Sequence, residues 1–145
     1  MYFVNREKIE EILKYMEKIQ NTYEAWQGDK FTDYLLLERL AHISIEAIID
    51  VGNMMIDGFI MRDPGSYEDI IDILTDEKVI PEADSEGFKA FIQLRKMIVQ
   101  QYTDIDHEKI NTVWNEQKDS IQKFPERIRE YLTNELGPVS AFTKE

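Results

Sequence analysis

Cysteine is absent from the 145 residues, so disulfides and thiolate metal sites are excluded. Histidine is scarce, with only His42 and His107. No apolar run approaches the roughly 20 residues needed to cross a bilayer. The opening "MYFVNREKIEEI" turns charged at once and lacks the apolar stretch of a signal peptide, so a cytoplasmic protein is expected. No five-residue run alternates in the manner of a strand, and neither an internal repeat nor a low-complexity segment occurs. Basic residues are few: 17 against 29 acidic, a net charge of −12. Residues 50–90 carry much of that excess, whereas 118–135 are balanced. Binding to nucleic acid draws largely on lysine and arginine against phosphate, so the composition argues against a non-specific nucleic-acid coat. A local basic site reaching RNA stays open, and the acidity itself reads as solubility.

What is present is helical periodicity. Ile9, Ile12, Leu13, Met16, Ile19, Tyr23 and Trp26 follow i, i+3, i+4, i+7 spacing and predict a helix over about 5–26. A second helix is expected from about 32 to 59. It has two apolar rows, one through Leu36, Leu40, Ile43, Ala47 and Met54, the other through Leu37, Ala41, Ile48, Val51 and Met55. A helix apolar on two sides is a central one. Ser66, with Glu68 and Asp69 behind it, caps a short third helix over about 67–77. Pro81 marks a connector, and a fourth helix follows over about 85–101. Asp106 caps a fifth, in which Pro125 should kink or split the apolar pattern. Gly137-Pro138 ends it. The expected fold is all-α: an antiparallel up-and-down bundle of four long helices plus a short one. It forms one domain over 1–136, with a short tail over 137–145 that has little to bury.

The fourth helix holds the stretch of chemical interest, "RKMIVQQYTDID". Its apolar stripe runs through 88, 91, 92, 95, 98, 99 and 102, which places Arg95 and Tyr102 on one face. A guanidinium on an apolar stripe must be paired, line a cleft or reach an edge. The plainest arrangement packs the arginine stem on the bundle with its head at the rim, stacked on Tyr102 or paired to a carboxylate. Gln100 lies about 140° around the helix from Arg95, so the two cannot converge from one straight helix. A site using both favours a symmetric dimer. On the second helix, Glu38, His42, Glu46 and Asp50 recur every four residues. Bundle metal sites pair Glu-x-x-His motifs on two helices, so this single-histidine ladder reads as a polar face with no metal. The methionines Met54, Met55 and Met61 read as core packing, and Trp26 and Trp114 as core or dimer-interface anchors.

The segments "LLLERLAHISIEAIIDVGNMMI" and "SYEDIIDILTDEKVIPEADSEGFKAFIQLRKMIVQQYTDID" resemble the HepT-like proteins of the HEPN superfamily over roughly residues 5–130. The resemblance implies an all-α homodimer that is the toxin of a toxin–antitoxin pair and a metal-independent endoribonuclease. It implies no cofactor. It further implies a minimal nucleotidyltransferase as antitoxin, which transfers AMP onto a motif tyrosine. In R-x4-H-x-Y order, Arg95 takes the phosphate-binding role, Gln100 the catalytic position and Tyr102 the acceptor role. Gln100 stands where the motif has histidine. An amide has no accessible proton equilibrium, so proton transfer is lost and activity is weakened or lost. His107 lies past the turn and would have to arrive from a dimer mate. The alternatives are a non-catalytic dimeric binding module for a nucleotide or protein partner, and a purely structural helical dimer.

Overall fold

The computed structural model describes residues 3–137. Within them lie five α-helices and a 3₁₀ turn: α1 (Arg6–Glu24), α2 (Phe31–Gly58), α3 (Tyr67–Asp76), the 3₁₀ turn (Glu82–Asp84), α4 (Ser85–Gln100) and α5 (His107–Leu136). The described residues contain no strand, as the absence of alternation predicts. None of these helices is long and apolar enough to cross a membrane. Most of the expected tail, residues 138–145, lies outside the described residues.

Three helix starts follow the capping chemistry of the sequence. Asn5, Ser66 and Asp106 each accept from the amide three residues ahead, at 2.9, 3.0 and 3.0 Å. The centre is α2, which touches the other four helices. Both of its apolar rows are occupied, with Leu37, Ala41, Ile48, Val51 and Met55 all fully buried. Leu36 departs from expectation and is 45 % exposed, although its neighbour Leu37 is fully buried. On α3, Ile70 packs so closely on Gly52 that a Cβ there would sit 2.5 Å from its methyl group. An aromatic contact joins α1 to α5: Tyr23 stacks on Trp114 with centroids 3.7 Å apart. Trp114 is therefore a core residue, 1 % exposed.

Pro125 neither splits α5 nor shortens it; the helix runs unbroken to Leu136. Proline lacks the amide that would bond the carbonyl four residues back, at Ile121. Gln20, buried on α1, supplies that donor: its Nε2 reaches the Ile121 carbonyl at 3.4 Å. A side chain from another helix thus fills the gap in the ladder.

The α2–α3 connection is fastened by charge. Arg62 donates twice to the Asp69 carboxylate, at 2.8 and 2.9 Å, and the Gly65 amide donates once at 2.8 Å. The Arg62 bonds chiefly, then the Gly65 amide, hold Asp69 down from 3.8 to about 2. A folded-state depression stabilises the fold above the unfolded value and is lost as pH falls. Asp69→Asn is expected to lower stability at neutral pH and to match the parent below about pH 2. Urea unfolding at several pH values checks this, and a difference that persists at the acidic end would count against it.

Candidate functional site

One face of α2 gathers Arg95 and both histidines singled out in the sequence. Glu38, His42 and Glu46 lie one turn apart each, so they rise along a single stripe. Three other elements converge on it. Arg95 reaches it from the last turns of α4, where Phe91, Ile92, Leu94 and Ile98 bury the remaining face. His107 reaches it from the first residue of α5, and Tyr67 from the first residue of α3.

Arg95 is the centre of the arrangement. Its Nε donates to Glu46 Oε1 at 3.1 Å. Its guanidinium carbon lies 4.8 Å from the Tyr67 ring centre, a cation–π contact. The sequence suggested stacking on Tyr102 or pairing to a carboxylate. The carboxylate is present, and the stacked ring is Tyr67 rather than Tyr102. Among the described residues the two terminal amino groups of Arg95 make no hydrogen bond, and the side chain is 26 % exposed. An arginine anchored through Nε and a ring face presents its outer fork to a planar or tetrahedral anion. His42 shares the anchor, with Nε2 at 3.1 Å from the same Glu46 oxygen. Glu46 also borders a cleft of about 510 Å³ between α1 and α2, walled by Ile12, Tyr15, Ile43 and Ala47.

His107 does not need a dimer mate to reach this face. Its Nε2 is 2.5 Å from Glu38 Oε2 of its own chain, and its ring stacks on Tyr34 at 4.5 Å. That pair pins the start of α5 against α2, and with it the turn at 101–106. The Gln101 amide, donating to the Met97 carbonyl at 3.0 Å, closes α4, and the Asp104 amide, donating to the Gln101 carbonyl at 3.0 Å, forms the turn. Tyr102 stands on this turn, 72 % exposed. Its position past the end of α4 removes it from the apolar stripe, and Val99 likewise emerges, at 39 % exposure.

Gln100 ends α4, exposed, with no hydrogen-bond partner among the described residues. Within one chain it is not brought to the Arg95–Glu46 pair, as the 140° offset predicts. The carboxylate–imidazole ladder, read from sequence as a polar face, is an inter-helix one that seats Arg95 and His107. Its signal was the four-residue spacing, but the partners lie on other helices. Among the described residues no cluster could hold a metal ion.

The family model for "Ribonuclease HepT-like" proteins matches residues 6–128. A Bacillus subtilis (strain 168) protein called "Putative RNase YutE" is 48 % identical over 145 residues, covering 98 % of this chain and 99 % of that protein. The solved structure of YutE, described as a cytosolic protein of unknown function, superposes with a TM-score of 0.93 at 49 % identity, covering 98 % of this chain and 100 % of that one. Two more distant structures share the fold. One is described as a toxin–antitoxin with AMP-PNP, at TM-score 0.72 and 18 % identity over 83 % of this chain and 96 % of that one. The other is a tri-AMPylated Shewanella oneidensis HEPN toxin in complex with MNT antitoxin, at TM-score 0.71 and 21 % identity over 85 % of this chain and 95 % of that one.

Proposed function

The chain belongs to the ribonuclease HepT-like family, and from that premise we propose that it is the toxin half of a toxin–antitoxin pair. In this reading it is a cytoplasmic, metal-independent endoribonuclease of weakened or lost activity. It folds as one domain over 1–136, an antiparallel bundle that pairs into a symmetric homodimer. The antitoxin is a minimal nucleotidyltransferase, which neutralises it by AMP transfer to Tyr102. Arg95 binds the scissile phosphate, and Gln100 occupies the position of the motif histidine. The observation that carries the reading is the Arg95 guanidinium, fixed by Glu46 and Tyr67, with its outer fork unpaired among the described residues. Such a fork suits phosphate, and it stabilises charge that builds on the phosphorane. Tyr102 supports the acceptor role by its exposure.

The exposed, proton-inert Gln100 favours a second reading: a dimeric module that binds a nucleotide or protein partner without cleaving RNA. Two measurements separate them. Labelled RNA should be cut slowly by the unaltered chain and not by Arg95→Ala. Co-expression with a minimal nucleotidyltransferase should add AMP to the intact mass, and Tyr102→Phe should remove that addition. Silence of both the unaltered chain and Gln100→His on RNA would favour the binding module. An unmodified Tyr102 in the presence of active antitoxin would remove the acceptor role.

A further inference from the structure

Position 100 cannot move a proton, but an imidazole stands beside Arg95 by another route. His42 Nε2 and Arg95 Nε each lie 3.1 Å from the same Glu46 oxygen, so the two nitrogens are no more than roughly 6 Å apart. An ionised carboxylate only accepts, which places the ring proton on Nε2. Nδ1 is then the free lone pair, and it has no hydrogen-bond partner among the described residues. This is the order of an oriented base: carboxylate, imidazole, open acceptor nitrogen. The His42 side chain is 29 % exposed, open enough to meet a substrate. His107 is poorer placed. Its partner Glu38 precedes Glu46 by eight residues, about 12 Å along the helix, and its ring is held by Glu38 at Nε2 and covered on one face by Tyr34.

Resting on the ribonuclease reading and deepening it, we propose that His42 is the proton-transfer residue of the Arg95 site. The substrate class is an RNA phosphodiester with a neighbouring 2′-hydroxyl. Nδ1 takes the 2′-hydroxyl proton as the O2′–P bond forms. Arg95 holds the equatorial oxygens while the P–O5′ bond breaks. The leaving O5′ takes a proton from water, and the imidazolium, steadied by Glu46, returns its proton to the hydroxide so formed. The products are a 2′,3′-cyclic phosphate and a 5′-hydroxyl, and no metal or redox partner enters. Activity is then weakened by Gln100 rather than lost.

The test uses the purified full-length chain on labelled RNA. His42→Ala keeps a good helix former on α2, and thermal unfolding verifies its fold. The expected result is a loss of on the order of 10²-fold in kcat with KM little changed. Added free imidazole should restore a good part of it, which a merely structural role would not allow. Cleavage within a few-fold of the parent overturns this proposal alone. A loss that imidazole does not restore assigns His42 a structural part and overturns it too. An unaltered chain that is silent while Gln100→His cuts RNA also overturns it, with the ribonuclease reading intact. Silence from both overturns the two together.

Discussion

Gln100→His is expected to raise RNA cleavage by on the order of 10²–10⁴-fold, the usual contribution of a positioned acid or base. The present glutamine can orient a hydroxyl or donate to a phosphate oxygen, but it cannot exchange a proton near neutral pH. Imidazole can do both jobs. The substitution costs little elsewhere. Gln100 ends α4, is exposed and has no side-chain hydrogen bond to lose among the described residues, so stability should move by less than about 0.5 kcal/mol. With His42 serving as base, the new imidazole adds the acid that protonates O5′, and the two gains multiply. Adding Arg95→Ala should remove the gain, because the phosphate then has no anchor.

Geometry makes a sharper version of the same experiment. Within one chain Arg95 and position 100 diverge by about 140° around α4, so a shared site draws them from two copies. Mixing Arg95→Ala/Gln100→His chains with unaltered chains creates hybrid dimers with one complete Arg–His site. Their cleavage should exceed that of either parent alone. A mixture that only averages its parents would show that each chain uses its own arginine and histidine. Failure of Gln100→His to cleave at all would remove proton transfer at position 100 from the account.

The helices were legible because their period is local. Apolar stripes and two capping side chains, Ser66 and Asp106, could be read along the chain, and the expected helices land on α1 to α5 within two or three residues at most ends. Arg95 was legible as an anomaly, since a cation on an apolar stripe demands a partner. The partner was not, because Glu46 is 49 positions away and Glu38 is 69 from His107. A four-residue ladder on one helix states that a polar face exists, not what meets it. The end of α2 was read to within about a residue, but the conformation that closes it was not. The stop of α2 has no glycine in the left-handed position; Ile60 adopts φ 56° there, and the Met61 amide closes the turn on the Ile56 carbonyl at 2.9 Å. A β-branched residue seldom takes that conformation, so no sequence rule points to it. Pro125 misled only as a breaking point: α5 is not split there, and Gln20 from another helix meets the carbonyl that the proline leaves unpaired.

Trp114→Ala is expected to cost much of the fold's stability, since Trp114 is among the largest fully buried side chains. The indole is 1 % exposed and stacks flat on Tyr23, and it meets Phe91 at 5.3 Å, tilted. It therefore ties α1, α4 and α5 together at one point. Removing it creates a large apolar cavity, which costs about 3–5 kcal/mol for an aromatic residue. The lost ring pairs are part of that figure. A domain of this size holds roughly 5–15 kcal/mol in total, so the variant loses about a fifth or more of its margin. Tm should fall by roughly 10–20 °C, followed by far-UV circular dichroism. Trp114→Phe should lose less, because a ring still faces Tyr23. The effect reaches the site as well. Phe91 precedes Arg95 by one turn of α4, so loosening its packing frees the turn that presents Arg95 to Glu46. Below its melting temperature the alanine variant should bind RNA more weakly, and a fall in Tm under about 3 °C would show that the surrounding core closes over the gap.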